Sequence, residues 1–214
     1  MSIQRYLLLI FVGLICLVSE GQTIYSYNGK YRIELPDKLE LQDSELNTVR
    51  CFPSHGNKTQ AKVSTNSKQI IFQQKGLNAG IKDAYNRYCR VIVEFFQEDR
   101  SDPTFGKGDQ IVVDKDLLNT IHNSVQEACN RNNTPLLKLF NVQPLSINGF
   151  PVLYYSYKRK GWEGKQPPVI VNVYQIFNRY ESVSLTFSYR EEERDIWKNI
   201  HGNITNSFSF IVNN

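Results

Sequence analysis

The sequence predicts an α+β domain, a largely antiparallel β-sheet with amphipathic helices packed on it in an α/β/α sandwich. Three observations predict it. Most segments between turn signals alternate apolar and polar residues with the period of two that belongs to strands. Two stretches, near 114–130 and 191–204, instead space their apolar residues by three and four, the stripe of an amphipathic helix. Residues 169–177 are apolar on both faces, which requires cover on both faces.

The elements follow in chain order. Residues 24–27 and 31–35 flank Asn28-Gly29, a pair suited to the positive φ of a two-residue hairpin turn. A polar loop follows, then a strand at 47–52. Segments 61–64 and 69–73 flank Thr65-Asn66-Ser67 and read as another hairpin. In the strand 88–96, Cys89, Val91, Val93 and Phe95 share one face and Arg90, Ile92, Glu94 and Phe96 the other. A helix over 114–130 has Asp114 as N-cap and a stripe of Leu117, Leu118, Ile121, Val125, Ala128 and Cys129. Asn132, Asn133 and Pro135 end it. A strand then covers 136–147, where Pro144 can interrupt the ladder. Asn148-Gly149 is a second tight-turn signal before a strand at 152–158. After 169–177, Val183, Leu185, Phe187 and Tyr189 alternate with serines and a threonine, the pattern of a half-covered strand. Glu191, Glu192 and Glu193 open a closing helix with an apolar stripe of Ile196, Trp197, Ile200 and Ile204, their charge suiting its N-terminus. A short strand over 208–212 ends the chain.

The first 21 residues read as a cleavable secretory signal: one basic residue, Arg5, then an apolar run of 13 residues, then Ser19-Glu20-Gly21. A membrane span needs roughly 20 apolar residues, so the run is short for an anchor. The small Ser19 and Gly21 suit the peptidase pockets, with cleavage after Gly21. The remaining residues, 22–214, fit a single domain with a sizeable core. The expectation is export to the periplasm or outside the cell, with a bacterial host favoured and no membrane span once the signal is removed. A formal charge of +4 is too small to point to nucleic acid.

Three stretches resemble a known superfamily. Tyr31-Arg-Ile-Glu-Leu-Pro36 resembles the opening strand of the PsbP-like domains. Ile147-Asn-Gly-Phe-Pro-Val-Leu-Tyr-Tyr155 resembles the turn and strand that start their meander. Residues 182–189, Trp197 in a helix and Asn206-Ser-Phe208 resemble their closing strand, helix and Ser-Phe strand. The superfamily includes bacterial exported proteins of the DcrB type. The resemblance is one of layout and implies the PsbP-like fold. It implies a binding or assembly role without catalysis, and it carries no functional residue over, since one fold hosts many functions.

The chemistry-bearing residues are sparse. His55, His122 and His201 are far apart and fit no H-E-x-x-H pattern. Beyond the signal the cysteines are Cys51, Cys89 and Cys129, an odd number that allows at most one disulfide and has no zinc spacing. Three small buried residues is the reading favoured for them, since free cysteine is among the most buried types. A Cys129–His122 nucleophile pair is disfavoured because residues seven apart sit two helical turns apart. No G-x-S-x-G and no phosphate-cradling glycine loop is present. No catalytic residue, metal or cofactor is therefore expected. Sequons begin at Asn57, Asn132 and Asn203 and matter only in a eukaryotic host. The candidate contact segment is the basic, glycine-rich stretch holding Lys158, Arg159, Lys160, Trp162 and Lys165, placed at a hairpin tip. The expected function is that of an exported, non-catalytic domain that binds an unidentified protein partner or helps assemble an envelope complex. A small-ligand or lipid-binding role is the alternative, and an enzyme with an unrecognised site ranks below both.

Overall fold

The computed structural model describes residues 22–53, 58–97, 104–161 and 166–211. The predicted signal segment, His55, Trp162 and Lys165 lie outside the described residues. The strands are β1 (Gln22–Tyr27), β2 (Tyr31–Pro36), β3 (Leu39–Leu41), β4 (Asn47–Pro53), β5 (Lys58–Thr65), β6 (Gln69–Gln74) and β7 (Cys89–Gln97). Helix α1 (Lys115–Arg131) follows, then β8 (Leu136–Ile147), β9 (Phe150–Arg159), β10 (Val169–Asn178) and β11 (Glu181–Arg190), helix α2 (Arg194–Ser207) and β12 (Ser209–Phe210). The domain is α+β and mostly antiparallel, with two helices packed on sheet.

The strands divide between two sheets, a partition the alternation pattern does not reveal. One has the order β12-β2-β1-β5-β4, with β1 and β5 parallel. The other has seven strands, β3-β6-β7-β11-β10-β9-β8, all antiparallel. The main core lies where the inner faces of the sheets meet. It holds Tyr25, Ile33 and Leu35 of the small sheet, Phe72, Val91 and Phe187 of the large one, and Trp197 and Ile204 of α2. Burying each such side chain stabilises the fold by roughly 1.5–3 kcal/mol. Rings bridge the sheets: Tyr25 meets Phe72 edge-on at 4.8 Å, and Tyr27 stacks on Phe95 at 4.2 Å. Helix α1 covers part of the opposite face of the large sheet, burying Ile121, Val125 and Cys129 against Leu153 and Phe177. On that face of β10 only Phe177 lies in the α1 cluster, whereas Val169, Val171 and Val173 pack with Tyr88, Tyr155 and Tyr157.

Several expectations hold and others need correction. The β8–β9 hairpin turns on Asn148 and Gly149 with φ of 52° and 82°, which joins directly paired Ile147 and Phe150. The β1–β2 connection also uses positive φ at Asn28 and Gly29, but Lys30 joins it, making three residues between paired Tyr27 and Tyr31. Segments β5 and β6 do not pair. The chain turns at Thr65-Asn66-Ser67 but crosses from one sheet to the other, and the Asn28 side chain holds the Thr65 backbone on the small sheet. Strand β8 passes through Pro144, which lies on the sheet edge where a missing N–H costs no ladder bond. Its irregularities fall elsewhere, between Leu136 and Lys138 and between Leu139 and Val142. The three residues of β3 fall where a polar loop is expected. The serine side of β11 is not solvent-facing: Ser182, Ser184 and Ser188 are buried because their small side chains sit below larger neighbours such as Phe96 and Phe177. Leu118, placed in the α1 stripe by spacing, is exposed. Glu191–Glu193 form a 3-10 turn ahead of α2 rather than its first turn, with Glu193 buried. Cysteines 89 and 129 are buried as expected, whereas Cys51 is exposed on β4, and all three are free thiols.

Asp114 caps α1 as its sequence predicts: its Oδ1 accepts from the Leu117 N–H at 2.8 Å. Asp114→Ala is expected to cost about 1 kcal/mol of stability through the loss of this cap. A shift of the urea midpoint without a change in slope would register it.

Candidate functional site

Among the described residues, helix α1 leaves the neighbouring part of its sheet face uncovered. There a groove of about 730 Å³ opens between the end of α1 and strands β7, β9, β10 and β11. Strand register explains its lining. Val169 of β10 is directly opposite Arg159 of β9 and Arg190 of β11, and Ser188 of β11 is opposite Arg90 of β7. Opposed residues of an antiparallel pair project to one face. Three guanidinium-bearing residues therefore surround one end of the groove. Farther along, Val171 lies between Tyr157 and Ser188, and Thr186 is opposite Ile92. The floor thus passes from arginine to apolar and hydroxyl-bearing side chains.

The arginines are only partly engaged. Arg190 Nη1 donates to the Asn86 carbonyl at 2.7 Å, and Arg159 Nη1 to the Lys160 carbonyl at 3.1 Å. A guanidinium has five N–H donors, so each retains most of its capacity. Among the described residues none of the three arginines forms a salt bridge, and no Asp or Glu lines the groove. Like charges gathered without a counter-charge repel, and an anion relieves that repulsion. The hydroxyl groups around them are donors as well. Tyr88 Oη lies 3.1 Å from Ser188 Oγ. Burial, with nearby Cys129 adding to it, raises the Tyr157 phenol pKa, so Tyr157 keeps its proton. The carbonyls at the end of α1, which would disfavour an anion, are capped: Asn132 donates to Ala128, and Thr134 to Cys129. The rim is tight at Gly161, where a Cβ would meet the Gln166 carbonyl at 2.5 Å.

No protein-family model and no curated protein matches this sequence. Solved structures do resemble it. The cyanobacterial PsbP of Synechocystis sp. PCC 6803 superposes with a TM-score of 0.53 over 89% of this chain and 93% of that chain, at 13% identity. The chain has the PsbP-like fold. More distant likenesses include the Ran-binding protein Mog1p of Saccharomyces cerevisiae, with a TM-score of 0.43 over 85% of this chain and 90% of that one at 10% identity. LpqN of Mycobacterium tuberculosis, described as involved in cell envelope biogenesis, has a TM-score of 0.40 over 88% and 90% at 11% identity.

On this PsbP-like frame the sequence-predicted contact residues separate. Arg159 lines the groove. Lys158, one residue earlier, projects to the other face and pairs with Glu191 at 2.6 Å. Lys160 is exposed just past the strand, and its N–H is held by the Pro135 carbonyl. Trp162 and Lys165 lie outside the described residues. Spacing alone does not find Arg90 and Arg190, which are 100 residues apart in sequence and meet only through the β7–β11 pairing. For Arg190 the signal is a charged residue on a strand face otherwise made of serines and a threonine.

The groups considered for catalysis are not assembled. Both His122 and Cys129 lie on α1, where His122 is exposed while Cys129 is buried. Burial raises the thiol pKa values of both Cys89 and Cys129, which holds them in the unreactive protonated form. His201, half-buried on α2, packs against Phe187 and Tyr174. Among the described residues, no cluster of three or more His, Cys, Asp or Glu is placed to hold a metal ion. Among them too, no helix is long and apolar enough to cross a membrane.

Proposed function

We propose that this protein is an exported, non-catalytic interaction domain that works at the cell envelope by holding a partner. The observation that carries the reading is the arginine-ringed groove, an accessible concave surface with unspent donors and no described carboxylate of its own. A surface so arranged is complementary to an anionic partner group. The signal-like residues 1–21 support export, and the PsbP-like fold offers a rigid sheet on which the contact residues are fixed in register. Among the described residues, the exposed His122 stands apart from the buried Cys89 and Cys129 thiols, which favours binding over turnover.

Photo-crosslinking from the groove rim tests it. A photoreactive residue at Asn132, exposed at the rim, is expected to give a discrete adduct in the native host, and one at Glu45, remote and exposed, is not. Identical adduct patterns from both positions, or none from Asn132, would overturn the assignment of the groove as the contact surface.

A further inference from the structure

We infer that the groove takes an amphiphilic anion, with a carboxylate or phosphate head against Arg90, Arg159 and Arg190 and an apolar tail along Val171 and Ile92. This rests on the reading of the groove as a binding site and names the chemistry it receives. The order of residues along the sheet carries it. The row Arg159–Val169–Arg190 lies at one end of the floor, and Arg90 is one step inward opposite Ser188. The rest of that second row, Tyr157–Val171–Ser188, and the whole of the third, Tyr155–Val173–Thr186–Ile92, are apolar or hydroxyl-bearing. Charge is therefore concentrated at one end, whereas a groove for a uniformly polar ligand would spread its donors.

Among the described residues, the acidic groups nearby do not neutralise the arginines. Glu94 shares their face but lies four residues along β7 from Arg90, about 13 Å at the rise of a strand. Glu191 is engaged by Lys158. Glu193 accepts from the Tyr88 N–H and from Trp197 Nε1, both at 3.1 Å. The free capacity is thus for an external oxyanion, which guanidinium groups bind through paired N–H donors. Size agrees, since ligand sites commonly enclose about 300–1,000 Å³ and are largely apolar with a few convergent polar groups. A carboxylate from a fatty acid and a phosphate from a phospholipid present the same chemistry to this end of the groove.

Isothermal titration of the purified protein with dodecanoate, dodecyl phosphate, dodecanol and inorganic phosphate decides the matter. One-to-one binding of at least one dodecyl anion is expected, at least tenfold tighter than dodecanol or inorganic phosphate. Which of the two anions binds better identifies the head group. Arg90→Gln is expected to weaken that binding at least tenfold, whereas Arg32→Gln on the small sheet leaves it unchanged. Because Arg190 also holds the Asn86 carbonyl, Arg90 is the cleaner position: no hydrogen bond or ion pair of its side chain occurs among the described residues. An unchanged thermal midpoint and far-UV spectrum would certify the variant as folded. Equal affinity for dodecanol would overturn the inference, as would association with anionic phosphatidylglycerol vesicles but with no monomeric anion. If no probe binds while the Asn132 photo-adduct with a protein persists, the amphiphile is refuted and the contact surface stands.

Discussion

Replacing Trp197 with alanine is expected to destabilise the protein by roughly 3–5 kcal/mol, as large-to-small substitutions of buried aromatic residues do. Trp197 is 2% exposed and anchors α2 in the main core. Its Nε1–H donates to Glu193 Oε2 at 3.1 Å, and the same oxygen accepts from the backbone of Tyr88 at 3.1 Å. The indole therefore fills core volume and also satisfies a buried carboxylate that ties the start of β7 to the start of α2. Trp197→Ala removes both, leaving a cavity and a carboxylate with one donor fewer. Trp197→Phe separates the two contributions, because it keeps most of the ring but withdraws the N–H. The expected cost of the phenylalanine variant is about 1–3 kcal/mol, the penalty for a buried polar group that loses its partner. Urea unfolding of the three proteins measures both differences. A loss below about 1 kcal/mol for the alanine variant would remove Trp197 from the core account.

How far the fold can be read from the sequence depends on whether a feature is local. Asp114, the Asn148-Gly149 turn and the α1 stripe are specified within a few residues; the first two are found in place, and the stripe is too except for the exposed Leu118. Face-by-face patterning likewise identifies β7 and β11 as strands, and apolarity on both faces identifies β10. Alternation states that a strand has two faces, however, and not which strand lies beside it. The loop at Thr65-Asn66-Ser67 therefore reads as a hairpin although it joins different sheets. The serine face of β11 reads as solvent-facing because serine is polar, but its burial is set by the bulk of residues on β7 and β10. A large neighbour on an adjacent strand is not a local signal.

The candidate site shows the same division. Arg159 belongs to a basic segment visible in the sequence, yet the charge density there misleads. Lys158 and Arg159 alternate across the sheet, so only one of them reaches the groove. Arg90 and Arg190 complete the cluster from strands whose pairing places Ser188 against Arg90. Charge counted along the chain gives a mild basic excess. Charge placed by register gives three guanidinium groups around one concavity, and that arrangement, more than net charge, determines what the surface can attract.

The acid stability of the protein is expected to depend on His201. Its Nε2 lies 2.7 Å from Tyr174 Oη, and its ring packs on Phe187 at 4.5 Å beneath α2. Burial pushes the imidazole pKa from 6.5 down to about 4, because the charged form loses its hydration there. Burial also raises the Tyr174 phenol, which keeps its proton and can donate to the neutral ring. In the unfolded chain the imidazole returns to its ordinary value, so between pH 6.5 and 4 the unfolded state binds the proton and the folded state resists it. The contribution of neutral His201 is thus fully present above pH 6.5. It is lost progressively as pH falls, and below about 4 no further loss arises from this group. The full displacement is worth about 3 kcal/mol, of which about 2.5 is gone by pH 4.5. Carboxylates titrate over the lower part of the same range, so the comparison has to be differential. His201→Gln keeps a hydrogen-bond acceptor for Tyr174 but does not titrate. Its stability, measured by urea unfolding from pH 7.5 to 4.5, is expected to fall by about 2.5 kcal/mol less than that of the unsubstituted protein. Parallel pH profiles for the two proteins would mean that the imidazole reaches water in the folded state, and that α2 does not seal the core above Phe187.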